Sequence, residues 1–397
     1  MSNRVRALLI TTSCFVIFYV VLGGLLGKND TSSEKTYRNL GVYSEVLSHI
    51  KSYYVTDPDL MKVTSGAIRG LLEALDPYST YMSPEEYQDY RRQPEPGPAD
   101  VGIFTAKRMG FATVVSVLPG GPAEKAGVKV GDLIDRVESV SARELSVVQL
   151  QRMLAGPAGS TVTLTLVREA RGDPQKFPIT RAALTYPPVS GKVVDANAAY
   201  LRVASFNKGR AGEIAAKLKE LTAAGADKIV LDLRNCAGGD PQEGIETASL
   251  FIEKGLIAYL QGQRYPRHDL MAQPTGPVYR NPLVVLINQS TAGPAELVAT
   301  AVAGNKRGEV VGTRSFGVGV FQKLIAIDDG SALLLSVAKY YGPDGKAIQD
   351  NGVTPTVVES PADDADGDNE PAEPEHYGDK DDQQLRKAIE VLKRKPA

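Results

Sequence analysis

The sequence predicts a multidomain α/β protein, and three stretches with different apolar spacing carry that prediction. Between residues 36 and 90, apolar side chains recur every three or four positions, as on one face of a helix. From about 100 to 181 the apolar runs become short and alternating, punctuated by glycine, as in a small β-rich domain. Beyond 184, continuous apolar runs alternate with amphipathic segments, which suits strands covered on both faces by helices.

The 397 residues leave room for two or three domains, and 43% hydrophobic with 23% charged residues is ordinary for globular protein. The formal net charge of −2 hides an asymmetry. Eleven acidic residues and one lysine fall between Glu359 and Asp382, leaving 44 basic against 36 acidic residues elsewhere. That basic surplus is dilute and no Lys/Arg block interleaves with aromatics, so nucleic acid is not an expected partner. Residues 359–382 read as a solvated acidic linker. With two cysteines, Cys14 and Cys236, and three histidines at no ligand spacing, neither a disulfide, a metal site nor a cofactor is expected. Oligomeric state is not legible.

Ala7 to Gly27 carries no charge and follows Arg4 and Arg6. It is long enough to cross roughly 30 Å of hydrocarbon as a helix. The arginines favour a cytoplasmic N-terminus, and no small-x-small cleavage site follows Leu26. Residues 1–27 are therefore expected to be a retained single-pass anchor, with the body on the periplasmic or extracytoplasmic side.

In the region 36–95, Tyr43, Val46, Leu47 and Ile50 share one helix face, as do Ile68, Leu71, Leu72 and Leu75 before Asp76-Pro77 stops the pattern. A Pro/Gly-rich linker leads into 98–183, with strands over Ala112–Leu118 and Thr161–Val167 and a helix over Leu145–Leu154. The unit 184–358 is mixed α/β. Its strand candidates are Ala199–Phe206, Lys228 into the Gly238-Gly239 turn, and Leu283–Asn288, with more strands between 304–320 and 331–340. An amphipathic helix over Ala211–Ala223 has Ile214, Leu218 and Leu221 on one face. Within 383–397, Leu385, Ala388, Ile389 and Leu392 share a face expected to dock on the body.

Two motifs go further. Pro119-Gly-Gly-Pro-Ala-Glu-Lys-Ala-Gly-Val-Lys-Val-Gly-Asp-Leu-Ile-Asp135 resembles the core of a PDZ domain, which captures extended peptides by strand addition. Asn288 to Ala299, followed by Val311 to Gln322, resembles the active-site block of the carboxyl-terminal processing (tail-specific) serine peptidases. Those enzymes pair a serine that opens a helix with a lysine in a Phe-Gly-Lys-Gly turn. Aligned on Glu296 and Phe316-Gly317, the serine position holds Gly293 and the lysine position Val318. Neither side chain can attack a carbonyl or take a proton.

The resemblance implies further roles by position. Gln322 matches the residue that orients the lysine, and Gly238, Gly239 and Gly293 match backbone oxyanion donors. Gly102, Ile103 and Phe104 match the loop that holds a peptide's terminal carboxylate, with Ile103, Leu150 and Leu154 as pocket-lining candidates. Tyr78 stands where the family has histidine in a Leu-Asp-Pro-His-Ser phrase. Substitute nucleophiles are Ser290, Thr291 and Cys236, and His268 is a candidate base. The expected function is a membrane-anchored pseudopeptidase binding C-terminal tails or partner proteins. Two alternatives stay open: an active serine-type peptidase with a displaced nucleophile, and a structural interaction protein whose groove Phe104 closes.

Overall fold

The computed structural model describes residues 31–92, 98–108, 110–168, 172–360 and 377–394. The expected membrane span lies outside them, and no helix among the described residues is long and apolar enough to cross a membrane. Two compact units divide at Ala67/Ile68. Helix α1 (Thr31–Tyr53) lies in the first, and α2 (Leu60–Glu73) runs from the first into the second. The remainder of the region expected to be helical is broken by a strand, β1 (Thr80–Met82), ahead of α3 (Pro84–Arg92). The break begins at Asp76-Pro77. The Asp76 carboxylate accepts the amides of Tyr78 and Ser79, and Ser336 Oγ donates to it at 3.2 Å. That side chain closes the turn and lets β1 pair with a distant strand.

A β-rich domain follows: β2 (Ile103–Arg108), β3 (Phe111–Val117), α4 (Pro122–Lys125), β4 (Leu133–Val137), β5 (Val140–Ser141), α5 (Val147–Leu154), β6 (Thr161–Val167) and β7 (Gln175–Thr180). Its sheet runs in the order β2-β3-β4-β6-β7, so β2 is an edge strand. Ser146 caps α5 by accepting the Gln149 amide while the Gln149 side chain accepts the Ser146 amide. One sheet face buries Val101, Val114, Ile134, Leu150, Leu154, Val162 and Leu164 in a core of its own.

The largest layer is a six-stranded sheet. It uses β8 (Ser190–Val194), β9 (Ala198–Arg202) and β10 (Lys228–Asp232), with α6 (Arg210–Ala223) between the last two and α7 (Pro241–Ser249) after them. After β11 (Leu256–Gln261) and β12 (His268–Met271) come β13 (Leu283–Ile287), α8 (Pro294–Gly304) and β14 (Glu309–Gly312). Then follow β15 (Val320–Ala326), β16 (Ala332–Tyr341), β17 (Val357–Val358) and α9 (Gln383–Lys393). The order β17-β14-β13-β10-β9-β8 is parallel except for β8. Its alternate faces carry separate cores. Leu201, Ile229, Leu231, Val285 and Ile287 pack under α6 and α8, while Tyr200, Val230, Val284 and Leu286 pack under α9. Leu385, Ala388, Ile389 and Leu392 are all buried there, as their shared face implies. Strands β1, β11, β12, β15 and β16 form a third, antiparallel sheet.

Candidate functional site

Three loops converge at the carboxyl ends of the parallel strands, where open α/β sheets place their sites. The loop after β10 (233–239) and the loop after β13 (288–293) are joined by side chains. The Asn288 amide oxygen accepts the Asn235 amide at 2.9 Å, Thr291 Oγ1 donates to the Leu233 carbonyl at 2.8 Å, and Ala292 N donates to the Cys236 carbonyl. The third loop, 313–319, attaches through Phe316 N to the Thr291 carbonyl.

Gly293 opens α8 with φ 63° and ψ −119°, a backbone state that favours glycine. A strained turn of this kind, entering a helix, presents a side chain outward. A Cβ built at Gly293 meets nothing within 4 Å, so the space for a reactive side chain remains. Its amide, however, is engaged: it donates to Glu296 Oε2 at 2.9 Å. Pro294 follows and has no N–H. The expectation that Gly293 supplies an oxyanion donor is therefore corrected, and the next position on the helix offers none either.

Glu296 is fully buried and accepts four donors: Gly293 N, Ser315 Oγ, Gly317 N and Val318 N. Burial pushes its carboxyl up to about 7 against the lowering effect of those hydrogen bonds. In the sequence a glutamate three positions after a helix cap is a capping-box signal, and Glu296 stands in that place.

Val318 points its isopropyl group into an apolar cluster. Ala106 and Val115 from the outer face of β2–β3 meet Ala237 and Ala292 from the core loops, and Phe104, Phe316 and Val318 pack against them. Ser116 Oγ reinforces the joint by donating to the Asn235 carbonyl at 2.9 Å. Phe104 reaches across to the core, where a Cβ placed on Gly238 would lie 3.0 Å from its ring, and it also lines the cleft between the two domains. Gly238 and Gly239 hold φ of 77° and 109°, and Gly239 lies so close to the Phe206 backbone that no Cβ fits.

The other site residues are placed as follows. Gln322 sits on β15, but its side-chain amide donates to the Tyr78 carbonyl at 2.9 Å, anchoring the 76–79 turn. Tyr78, expected only to end a helix, is buried, and burial pushes its phenol up to about 12. Cys236 is wholly buried in the core under α6 and α8, its thiol likewise pushed up to about 12 by desolvation. Ser290 and Thr291 are 2% and 0% exposed. All three substitute-nucleophile candidates, Cys236, Ser290 and Thr291, are thus buried. His268 is exposed on β12, opposite Leu260 in the antiparallel sheet.

The cleft between the two domains has a volume of about 610 Å³ and runs from Gly102–Phe104 to Gly238-Gly239. Leu150 and Leu154 are 0% and 1% exposed within the β-rich domain's own core, so they do not line it. In their place α5 contributes Gln151.

A small β domain seated on a parallel α/β core, with a helix-opening turn facing a second loop across a cleft, defines the class of PDZ-containing serine peptidase folds. Comparison with known proteins agrees. Residues 197–359 match the model of peptidase family S41, 113–168 that of a PDZ domain, and 24–86 that of the activating protease CtpB N-terminal domain. The chain is 32% identical over 334 residues to a carboxy-terminal-processing protease of Bartonella bacilliformis, covering 82% of this chain and 76% of that one. It is 30% identical over 353 residues to the carboxy-terminal processing protease CtpA of Bacillus subtilis, covering 88% and 74%. A solved photosystem II D1 C-terminal processing protease superposes with a TM-score of 0.67 at 28% identity, covering 81% and 92%. The chain belongs to the carboxyl-terminal processing peptidase family.

Proposed function

We propose that this member of the family is a pseudopeptidase that holds extended segments of exported proteins without cutting them. One observation carries the reading: Gly293 and Val318, at the serine and lysine positions, have their amides tied to a single oxygen of Glu296. A nucleophile, a base and the helix-side oxyanion donor are thus all lacking at one place. Loss of the nucleophile alone costs on the order of 10⁶ in rate in serine proteases, and loss of one oxyanion donor about 10² to 10³. Val318 supports the reading further, because its apolar surroundings favour an aliphatic side chain and penalise an ammonium group there. The scaffold for holding a peptide is intact in outline: β2 is an open sheet edge beside α5, the geometry of strand addition. The uncharged stretch Ala7–Gly27 supports a membrane tether with the body outside the cytoplasm.

Incubation of the purified full chain with an unstructured protein substrate tests the proposal. No cleavage above a buffer control is expected. Cleavage that disappears in Ser290→Ala or Cys236→Ala would establish a displaced nucleophile and overturn it.

A further inference from the structure

The cleft between the PDZ domain and the core holds two features that a terminal-carboxylate site does not need. The first is Asp100, the one charged residue among the described residues that line it. In a PDZ-type site the loop amides receive the peptide's terminal carboxylate. Here the Gly102 amide donates to Asp100 Oδ1 at 2.7 Å, so a carboxylate of the chain itself already occupies that donor. Its backbone is pinned on both sides, with Asp100 N donating to the Ala182 carbonyl and Ala182 N donating back. The neighbouring cation, Arg181, is engaged elsewhere, donating to the carbonyls of Leu154 and Met153 and to Ser160 Oγ. Burial raises the Asp100 carboxyl against the lowering effect of the Gly102 and Val101 amides and of the Arg181 charge.

The second feature is Ser205. It is 4% exposed, lines the same cleft, and its hydroxyl has no hydrogen-bond partner among the described residues. Buried hydroxyls are nearly always paired, so this one is a polar group left unsatisfied in the cleft wall.

We propose that Asp100 makes this groove a reader of positively charged segments: it takes an extended peptide that presents a lysine or arginine to Asp100, and it discriminates against a free C-terminal carboxylate. The proposal rests on the reading that the groove holds peptide, and it changes what the groove recognises. A terminal carboxylate brought to this loop meets the Asp100 carboxyl, which has already taken the Gly102 amide. A cationic side chain meets the same carboxyl across a lining of otherwise neutral groups, where electrostatic complementarity sets specificity. The peptide backbone would follow the free edge of β2.

Binding to the full chain by fluorescence anisotropy tests this with one neutral peptide made as the free acid, as the amide, and as amides carrying a single lysine at each of the last four positions. The amide is expected to bind more tightly than the acid by at least about threefold. The best lysine peptide should gain about tenfold more at low salt, a gain that shrinks as salt screens the pair. Asp100→Asn keeps an acceptor for the Gly102 amide and should level the series, whereas Asp100→Glu should retain the lysine preference. Tighter binding of the free acid, an Asp100→Asn variant that keeps the full ranking, or no binding by any peptide would each overturn the proposal. Cleavage of these peptides during the assay would instead overturn the pseudopeptidase reading while leaving their ranking intact.

Discussion

The amide of Val318 donates to Glu296 Oε2 at 2.8 Å, and the same oxygen accepts the amide of Gly293 at 2.9 Å. One buried carboxylate thus binds together the two positions where a serine–lysine pair would face each other. It also fixes Gly317 and Ser315 on the same turn. Backbone amides and one buried carboxylate thus hold the two positions in place.

Replacing that carboxylate should loosen all three loops. Glu296→Ala leaves three amides and a hydroxyl without their acceptor, and each orphaned buried donor costs about 1 to 3 kcal/mol, not additively. A loss of about 3 kcal/mol or more in urea unfolding is expected, with hydrogen exchange at Gly317 and Val318 accelerated. A loss under about 1 kcal/mol would contradict the role given to Glu296.

Acidification should act in the opposite direction. Glu296 has its folded-state value raised from 4.5 to about 7, so the native state binds the proton more tightly than the unfolded chain does. The associated stability is fully present below about 4.5 and is lost as pH rises through about 7. At about 1.4 kcal/mol per pH unit, the whole effect is on the order of 3 kcal/mol. Unfolding at pH 5 and at pH 7.5, measured for wild type against Glu296→Gln, isolates it. The difference between the two proteins should shift in favour of wild type at the lower pH.

Restoring the missing side chains should not by itself restore an enzyme. Gly293→Ser has room, since nothing lies within 4 Å of the new Cβ, but φ of 63° strains any other residue by about 1 to 3 kcal/mol. Val318→Lys places an ammonium against Phe104 and Phe316. Pro294 would still deny the helix-side amide that follows the nucleophile. Adding Pro294→Ala to the double variant is therefore expected to raise substrate cleavage by about a hundredfold over the double variant alone. Equal rates would show that this amide is irrelevant.

The C-terminal helix is tied to the same loops. Arg234, almost completely buried, donates to Asp232 on β10 and to both oxygens of Asp382, and Asp382 also caps α9 by accepting the Leu385 amide. Arg202 braces the Arg234 carbonyl from β9. Asp382→Ala removes a buried ion-pair partner and a helix cap together, an expected loss of about 3 to 5 kcal/mol. Limited proteolysis should then release the segment beyond residue 377 from an otherwise folded chain.

Local patterns carried much of this fold. The face of Leu385, Ala388, Ile389 and Leu392, the apolar run 283–288 and the glycine turn at 238–239 all behave as their spacing implies. What spacing conceals is pairing across the chain. Arg234 and Asp382 are 148 positions apart, and Gln322 reaches a carbonyl 244 positions away. Leu150 and Leu154 have the right helical spacing for a groove, but spacing leaves open whether a face meets ligand or core. Phe104 turns toward Gly238 because β2 carries a bulge between Phe104 and Thr105, and no residue preference announces that irregularity. Gly293 and Val318 are read directly from the sequence, whereas the engaged amide of Gly293 depends on how α8 begins.

The central claim is that no side chain in this site can form an acyl or phosphonyl bond. Intact-mass spectrometry of the full chain after prolonged exposure to an excess of a phosphonylating serine-protease probe tests it most directly, with an active serine peptidase as positive control. The account predicts an unchanged mass. A stoichiometric adduct mapped to Ser290, Thr291, Cys236 or any other residue lining the site would contradict it.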